Sequence, residues 1–262
     1  MLRNVFLPLA AALVSAAATA EARDWTEIEQ SGELRVIVAG DEQPEMFNPR
    51  ETGEPGFERE LMEGFVRLHR LRLRPVVVPR YADRIPALQE GRGDAVMGIL
   101  KTPAREELVD FTPETFPTRT VVVSHKPVPV IASGEEFRRQ SIGLLQGTTT
   151  WRNAALEAGA VEDEIELFPS LEAVIGALKS RRIGATIMSL SDLGLARRKH
   201  PDLQGGLLVG QPRSAAWGVT KGNSSLLREL STYVTSVRKT QTWSRLVVKY
   251  FGPEALLALG RR

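Results

Sequence analysis

Glu33-Leu-Arg-Val-Ile-Val-Ala39, Phe57-Glu-Arg-Glu-Leu-Met-Glu-Gly-Phe-Val-Arg-Leu68 and Leu71-Arg-Leu-Arg-Pro-Val-Val-Val78 follow one another along the chain, and their reading decides the fold. The first is short, β-branched and apolar, a strand. In the second, Phe57, Leu61, Phe65 and Leu68 recur at helical spacing with charges between them. The third alternates and then turns apolar, a second strand. Ala82 to Gln89 predicts a short helix stopped by Glu90-Gly91-Arg92-Gly93, and Asp94 to Leu100 a third strand. This β-α-β-α-β order means a parallel or mixed sheet with helices on its faces. The loop from Gly40 to Gly56 holds Pro44, Pro49, Gly53 and Pro55 and is irregular by composition.

Beyond Lys126-Pro127-Val128-Pro129 the pattern starts again. Strands are expected at 141–145, 165–168 and 185–188, with helices over 150–158 and 171–178. Ala215 to Val219 returns to strand character, and two amphipathic stripes end the chain: Leu226, Leu230, Val234, Val237, then Trp243, Leu246, Val247, Tyr250. Residues 87–100 echo 177–190 as helix end, basic turn and strand. The reading is α/β with two similar lobes, the chain crossing between them near 120–127 and again near 208–216. Lobe 1 is expected at 21–122 and 213–262, lobe 2 at 123–212.

The chain has 262 residues, 42% hydrophobic and 25% charged, which excludes a disordered, collagenous or coiled-coil protein. Lys+Arg 34 against Asp+Glu 32 gives +2, too little for a nucleic-acid partner to be expected. With no cysteine there is no thiol nucleophile, cysteinyl metal site, disulfide or lipidated N-terminal cysteine. Arg3, an apolar run from Val5 to Ala18 and Ala18-Thr19-Ala20 read as a cleavable signal peptide over 1–20. The run is shorter than the ~20 residues a membrane span requires. The expectation is a soluble exported protein.

Few segments carry chemistry. Ser141-Ile-Gly-Leu-Leu-Gln-Gly-Thr-Thr-Thr150 runs from a strand into a Gly-Thr turn that opens a helix. Free N–H groups and the dipole suit such a turn to an anion, with hydroxyls from Thr148 and Thr149; plain N-capping by a threonine is the alternative. Arg105 lies just past a strand's carboxyl end, where open α/β sheets take ligands, and its planar fork suits a carboxylate. A surface pair with Glu106 or Glu107 would explain it as well. Tyr81 either stacks on a ligand or covers the sheet edge. Asp41 and Glu42, after the first strand, either meet a ligand cation or are solvated. His69, His125 and His200 have no metal-ligand spacing, and no Gly-x-Ser-x-Gly, P-loop or dinucleotide fingerprint is present. No metal or cofactor is expected.

Gly56-Phe-Glu-Arg-Glu-Leu61, Ile85-Pro-Ala-Leu-Gln-Glu-Gly-Arg-Gly-Asp-Ala95, Thr102-Pro-Ala-Arg-Glu-Glu-Leu-Val-Asp-Phe-Thr112, Leu145-Gln-Gly-Thr-Thr149, Val219-Thr-Lys-Gly-Asn223 and Lys249-Tyr-Phe-Gly252 come in an order that resembles the family 3 extracellular solute-binding proteins, periplasmic receptors of polar amino-acid ABC transporters. The resemblance covers about residues 31–255. It implies a two-lobed type II periplasmic-binding-protein fold, two α/β lobes joined by two crossover strands around a ligand cleft. It also implies that Arg105 clamps a carboxylate, that Thr148 and Thr149 donate from the other lobe, and that Tyr81 and Asp41 line the pocket. Two departures matter. Ser189 stands where amino-acid binders place an aspartate for the α-ammonium, with Asp192 three residues on. Gly98, Ile99 and Leu100 stand where small polar donors precede the arginine.

The expected function is therefore a periplasmic, monomeric receptor that captures a small carboxylate or amino acid and passes it to an ABC permease, with no catalysis. One alternative is an enzyme resembling the cyclohexadienyl dehydratases, for which Asp41, Glu42 or Asp192 would have to be the acid. Another is a sensing module similar to the solute-binding part of membrane-bound lytic transglycosylases, whose lytic domain has no room after Gly252.

Overall fold

A computed structural model describes residues 22–253, 255 and 256; the expected signal peptide lies outside the described residues. The first lobe starts with α1 (Trp25–Ser31), capped by Asp24 in a reciprocal box with Glu27. Then come β1 (Glu33–Ala39), α2 (Phe57–Leu68), β2 (Arg72–Val78), a 3-10 turn at Tyr81–Asp83 with α3 (Arg84–Gln89), and β3 (Ala95–Leu100). β1 pairs in parallel with β2 and β3, as the β-α-β-α-β order requires. α4 (Pro103–Glu106) and β4 (Val109–Phe111) precede the long β5 (Phe116–His125), which leaves the lobe.

The second lobe holds α5 (Gly134–Arg138), β6 (Gly143–Leu145), α6 (Thr149–Glu157), β7 (Glu166–Phe168), α7 (Leu171–Lys179), β8 (Thr186–Ser189) and α8 (Leu190–Lys199). β9 (Leu203–Thr220) returns the chain, and α9 (Ser224–Val237) and α10 (Gln241–Phe251) close the first lobe. The internal echo is structural. β6 pairs in parallel with β7 and meets β8 through the Ile142–Ala185 bridge, as β1 pairs with β2 and meets β3 through Val36–Ala95. The copies part at the position before the third strand. Asp94 is buried and takes the Arg35 N–H at 2.7 Å, the Arg35 guanidinium at 2.8 Å and the Arg23 Nε at 3.0 Å, where the second copy has Gly184. The Gly-Arg-Gly-Asp turn thus staples β1 to the start of β3 inside the sheet.

Two separate apolar faces cover the first lobe's sheet. One gathers Trp25, Phe57, Phe65, Trp217, Tyr250 and Phe251 under α1, α2, α9 and α10; the other packs Ile37, Val78, Leu88 and Ile99. The second lobe has its own core around Val122, Phe137, Trp151, Ile175 and Ile187. Each lobe therefore holds its own buried apolar surface.

β5 and β9 pair antiparallel through both lobes. Phe116–Thr118 lies against Arg213–Ala215, and Thr120–His125 against Leu203–Val209. The register breaks between Thr118 and Thr120, so Gly210, Gln211 and Pro212 bulge out of the ladder. Gly210 has φ +70, and a Cβ there would lie 2.9 Å from the Ala154 Cβ of α6. The expected lobe boundaries at 122 and 212 fall inside these two strands. The 215–219 strand extends back to Leu203, a reach hidden by the polar, bulged run before it.

α8 leans from the second lobe onto the first. A Cβ on Gly194 would lie 2.7 Å from the Phe251 Cα, so the helix backbones touch there. Gln43 Nε2 donates to Asp192 Oδ1 at 3.1 Å, and Arg198 pairs with Glu54 at 3.3 Å. Among the described residues no helix is long and apolar enough to cross a membrane, and no group of His, Asp and Glu has metal-binding geometry.

Candidate ligand cleft

Arg105 comes from the first turn of α4, which begins at Pro103 behind the Thr102 cap. Its Nη1 donates to the Leu100 carbonyl at 2.9 Å and to the Tyr81 hydroxyl at 3.4 Å. Among the described residues it forms no ion pair; Glu106 pairs instead with Lys101 at 3.7 Å. One edge of the guanidinium is anchored by the protein, and the remaining N–H groups are left for another acceptor.

Tyr81 is a support for this arginine. Its hydroxyl accepts from Arg105 and from the Leu100 N–H at 3.3 Å, while its ring lies 3.8 Å from the Arg84 guanidinium carbon and 5.3 Å from that of Arg105. Arg84, 1% exposed, donates to Glu42 at 2.7 Å and to the Met97 carbonyl at 2.8 Å. Burial pushes the Glu42 carboxyl up, with Arg84 working against it. Deeper in the lobe, Glu58 is fully enclosed and accepts from the Trp217 indole and, at 2.7 Å, from the Thr115 hydroxyl. Burial outweighs both donors and pushes this carboxyl up to about 7. Gly98 sits over it in a bulge of β3 with φ +48, its Cβ position 3.3 Å from Glu58 Cγ. No sequence pattern singles out Arg84, Glu58 or Trp217 as functional. The one available signal for Glu58 was its place in the Gly-Phe-Glu stretch.

The second lobe offers hydroxyls at helix starts. Thr148 stands at the N-cap of α6 without capping it; its hydroxyl donates to the Leu145 carbonyl at 2.6 Å. The first-turn N–H groups of α6 are therefore not spent on a side chain, which is the condition anion binding at the turn requires. Thr148 and Thr149 line a small dent of about 80 Å³ with Leu145 and Leu167. Ser189 caps α8, accepting the Asp192 N–H at 3.0 Å and bonding the Asp192 carboxylate. Asp192, through Gln43, reaches the first lobe.

A larger cavity of about 280 Å³ lies where the lobes meet. Of the expected residues it takes Leu100 from lobe 1 and Ser189 from lobe 2, together with Thr150, the neighbour of Thr149. Arg105 adjoins it through Leu100. Asp41 is exposed and has no bond there, Gly98 faces Glu58, and Tyr81, Thr148, Thr149 and Asp192 lie off its wall. The rest of the wall is Thr118, Arg119 and Thr120 of β5, the β9 bulge, and one face of α6.

The profile of the bacterial extracellular solute-binding proteins, family 3, matches residues 34–253. Membrane-bound lytic murein transglycosylase F of Stutzerimonas stutzeri (strain A1501) is 25% identical over 231 residues, covering 86% of this chain and 47% of that protein. The chain thus spans about half the length of the transglycosylases it matches. The amino-acid-binding protein AabA of Dichelobacter nodosus is 24% identical over 216 residues, 77% of this chain and 81% of that one. In fold, a polar amino acid ABC uptake transporter substrate binding protein from Streptococcus thermophilus superposes with a TM-score of 0.75 at 15% identity, covering 90% of this chain and 94% of its own. A type II two-lobed architecture with a solute-binding role follows, and the chain belongs to the bacterial extracellular solute-binding proteins of family 3.

Proposed function

We propose that this protein is an exported receptor that binds a small carboxylate-bearing solute between its lobes and hands it to an ABC permease, without catalysis. The observation that carries the reading is Arg105. It is anchored at one edge by Leu100 and Tyr81, unpaired with any acid among the described residues, and set at the carboxyl end of β3. The uncapped first-turn N–H groups of α6, with Thr150 on the cavity wall, supply neutral donors from the opposite lobe. Closure is a hinge motion at the register break of β5 and β9. Of the acids an enzyme would call on, Glu42 is engaged by Arg84 and Asp192 by Ser189 and Gln43, while Asp41 is exposed and stands off the cavity wall.

The test is a thermal-shift screen of purified protein against amino acids, keto acids, dicarboxylates and cell-wall peptide fragments. A solute at ~1,000 times its Kd adds about 4 kcal/mol. For a chain of this size that raises Tm by about 8–16 °C. A hit among the small carboxylates, lost in Arg105→Ala, supports the reading. A response to wall fragments alone would replace transport with sensing.

A further inference from the structure

The hinge cavity holds two arginines, Arg119 and Arg213, that form no ion pair among the described residues. Thr118, Arg119 and Thr120 are consecutive residues of β5, yet all three reach its wall. A regular pleat would send the middle one to the opposite face; the register break re-aims it. Arg119 Nε and Thr118 Oγ1 are buried without a hydrogen-bond partner among the described residues. A buried donor left unpaired is costly, so such a group is commonly completed by something bound. Arg213 is the direct cross-strand neighbour of Thr118, lines the same cavity and forms no ion pair among the described residues. The one acid on the wall, Glu157, is exposed and pairs with neither arginine, leaving the wall net positive. Leu100, Trp151 and Ala154 supply an apolar surface between the charged ends.

We propose that this cavity is a second anion subsite, in which Arg119 and Arg213 receive the distal carboxylate of a short dicarboxylic solute whose first carboxylate is held at Arg105. The proposal rests on the cleft reading above and names its substrate class. Leu100 links the two sites, since it lines the cavity and its carbonyl takes the Arg105 guanidinium at 2.9 Å. A volume of about 280 Å³ is just below the roughly 300–1,000 Å³ usual for small-molecule sites. That favours a free diacid over a peptide carrying the same two carboxylates. The occupant touches β5, β9 and α6 together, so it reads the hinge as well as the cleft.

The experiment is calorimetry on the full chain with matched pairs: glutarate against butyrate, and L-glutamate against L-glutamine. The diacid of at least one pair is expected to bind tenfold or more tightly than its partner. Arg213→Gln, and independently Arg119→Gln, should cut diacid affinity about 10–100-fold, as for a lost charged hydrogen bond, and leave the monoacid within twofold. Equal binding of diacid and monoacid by the parent protein, no binding of any of the four by folded protein, or a preference that survives both variants would overturn the subsite. So would binding of a γ-glutamyl wall peptide but of neither free diacid. Arg105→Ala separates the two readings. If it spares monoacid binding, the cleft assignment itself falls; if it abolishes binding while the arginine variants change nothing, only the hinge subsite does.

Discussion

The two walls of the cleft solve the same problem with different chemistry. Lobe 1 presents fixed charge: Arg105 is braced by Leu100 and Tyr81, Tyr81 by Arg84, and Arg84 by Glu42 and the Met97 carbonyl. Lobe 2 presents neutral hydroxyls and helix starts, at Thr148–Thr150 and Ser189. A braced cation loses little freedom when a carboxylate arrives, so the proposed function assigns capture to lobe 1. Neutral donors discriminate less and carry little charge into a closed site, so lobe 2 is suited to cover what lobe 1 holds.

The sharpest way to break this contrast is Arg105→Ala. Two charged hydrogen bonds at about 1.5–3 kcal/mol each amount to at least a hundredfold in affinity. Calorimetry with the hit from the screen should show binding lost, while circular dichroism and Tm without ligand stay near the parent values, since among the described residues no ion pair involves Arg105. Unchanged affinity would refute lobe 1 as the capturing wall.

The brace beneath lobe 1 makes a second prediction, about 3 kcal/mol in size. An exposed Glu58 carboxyl would titrate at 4.5; in the folded protein it titrates at about 7. The folded state therefore holds this proton more tightly. Its contribution to stability is present in full below pH 4.5 and is lost as pH rises from about 4.5 to about 7. At 1.36 kcal/mol per pH unit the loss is about 3 kcal/mol. Urea midpoints measured across that window should fall with pH in the parent protein and run flatter in Glu58→Gln. Parallel curves would mean that Glu58 stays ionised on its two donors.

What was legible in the sequence follows the same division. Strands β1, β2 and β3 and helix α2 could be read within a residue, because apolar periodicity records which face is buried. Arg105 and the Gly-Thr turn could be named as candidates because a strand's end and a helix's start are marked locally. Glu58 and Arg84 were not. A buried charge leaves no period, and its partners are remote: Trp217 lies 159 residues from Glu58, and Glu42 lies 42 residues from Arg84. The hinge arginines were missed for a related reason. Arg119 and Arg213 look like solvated breaks in apolar strands until the bulge turns them onto one cavity.

Closure itself can be broken at Gly194. The atoms that a Cβ would meet there, within 2.7 to 2.9 Å, are the Phe251 backbone, which cannot rotate away. Gly194→Val should cost about 1–3 kcal/mol of the lobe arrangement in which α8 meets α10, the range for overpacking. Small-angle scattering should report a larger radius of gyration for the variant, and affinity should fall because binding must now drive the lobes together. A scattering profile and affinity equal to those of the parent protein would show that α8 does not latch the lobes.

The smallest effect is expected at Ser189, and it tests what lobe 2 was left to recognise. Ser189→Ala removes the α8 cap, worth about 1 kcal/mol, so Tm should drop by about 2–4 °C. Ser189→Asp keeps the cap, because aspartate accepts the Asp192 N–H as well as serine does. It also adds a carboxylate to the hinge cavity beside Asp192. If the solute carries an α-ammonium, that charge should tighten binding; if the solute is a plain acid, repulsion should weaken it. Opposite responses of L-glutamate and glutarate to this one variant would place the amine against lobe 2. A shared loss would leave lobe 2 a neutral cover, with all recognition of charge on lobe 1 and the hinge.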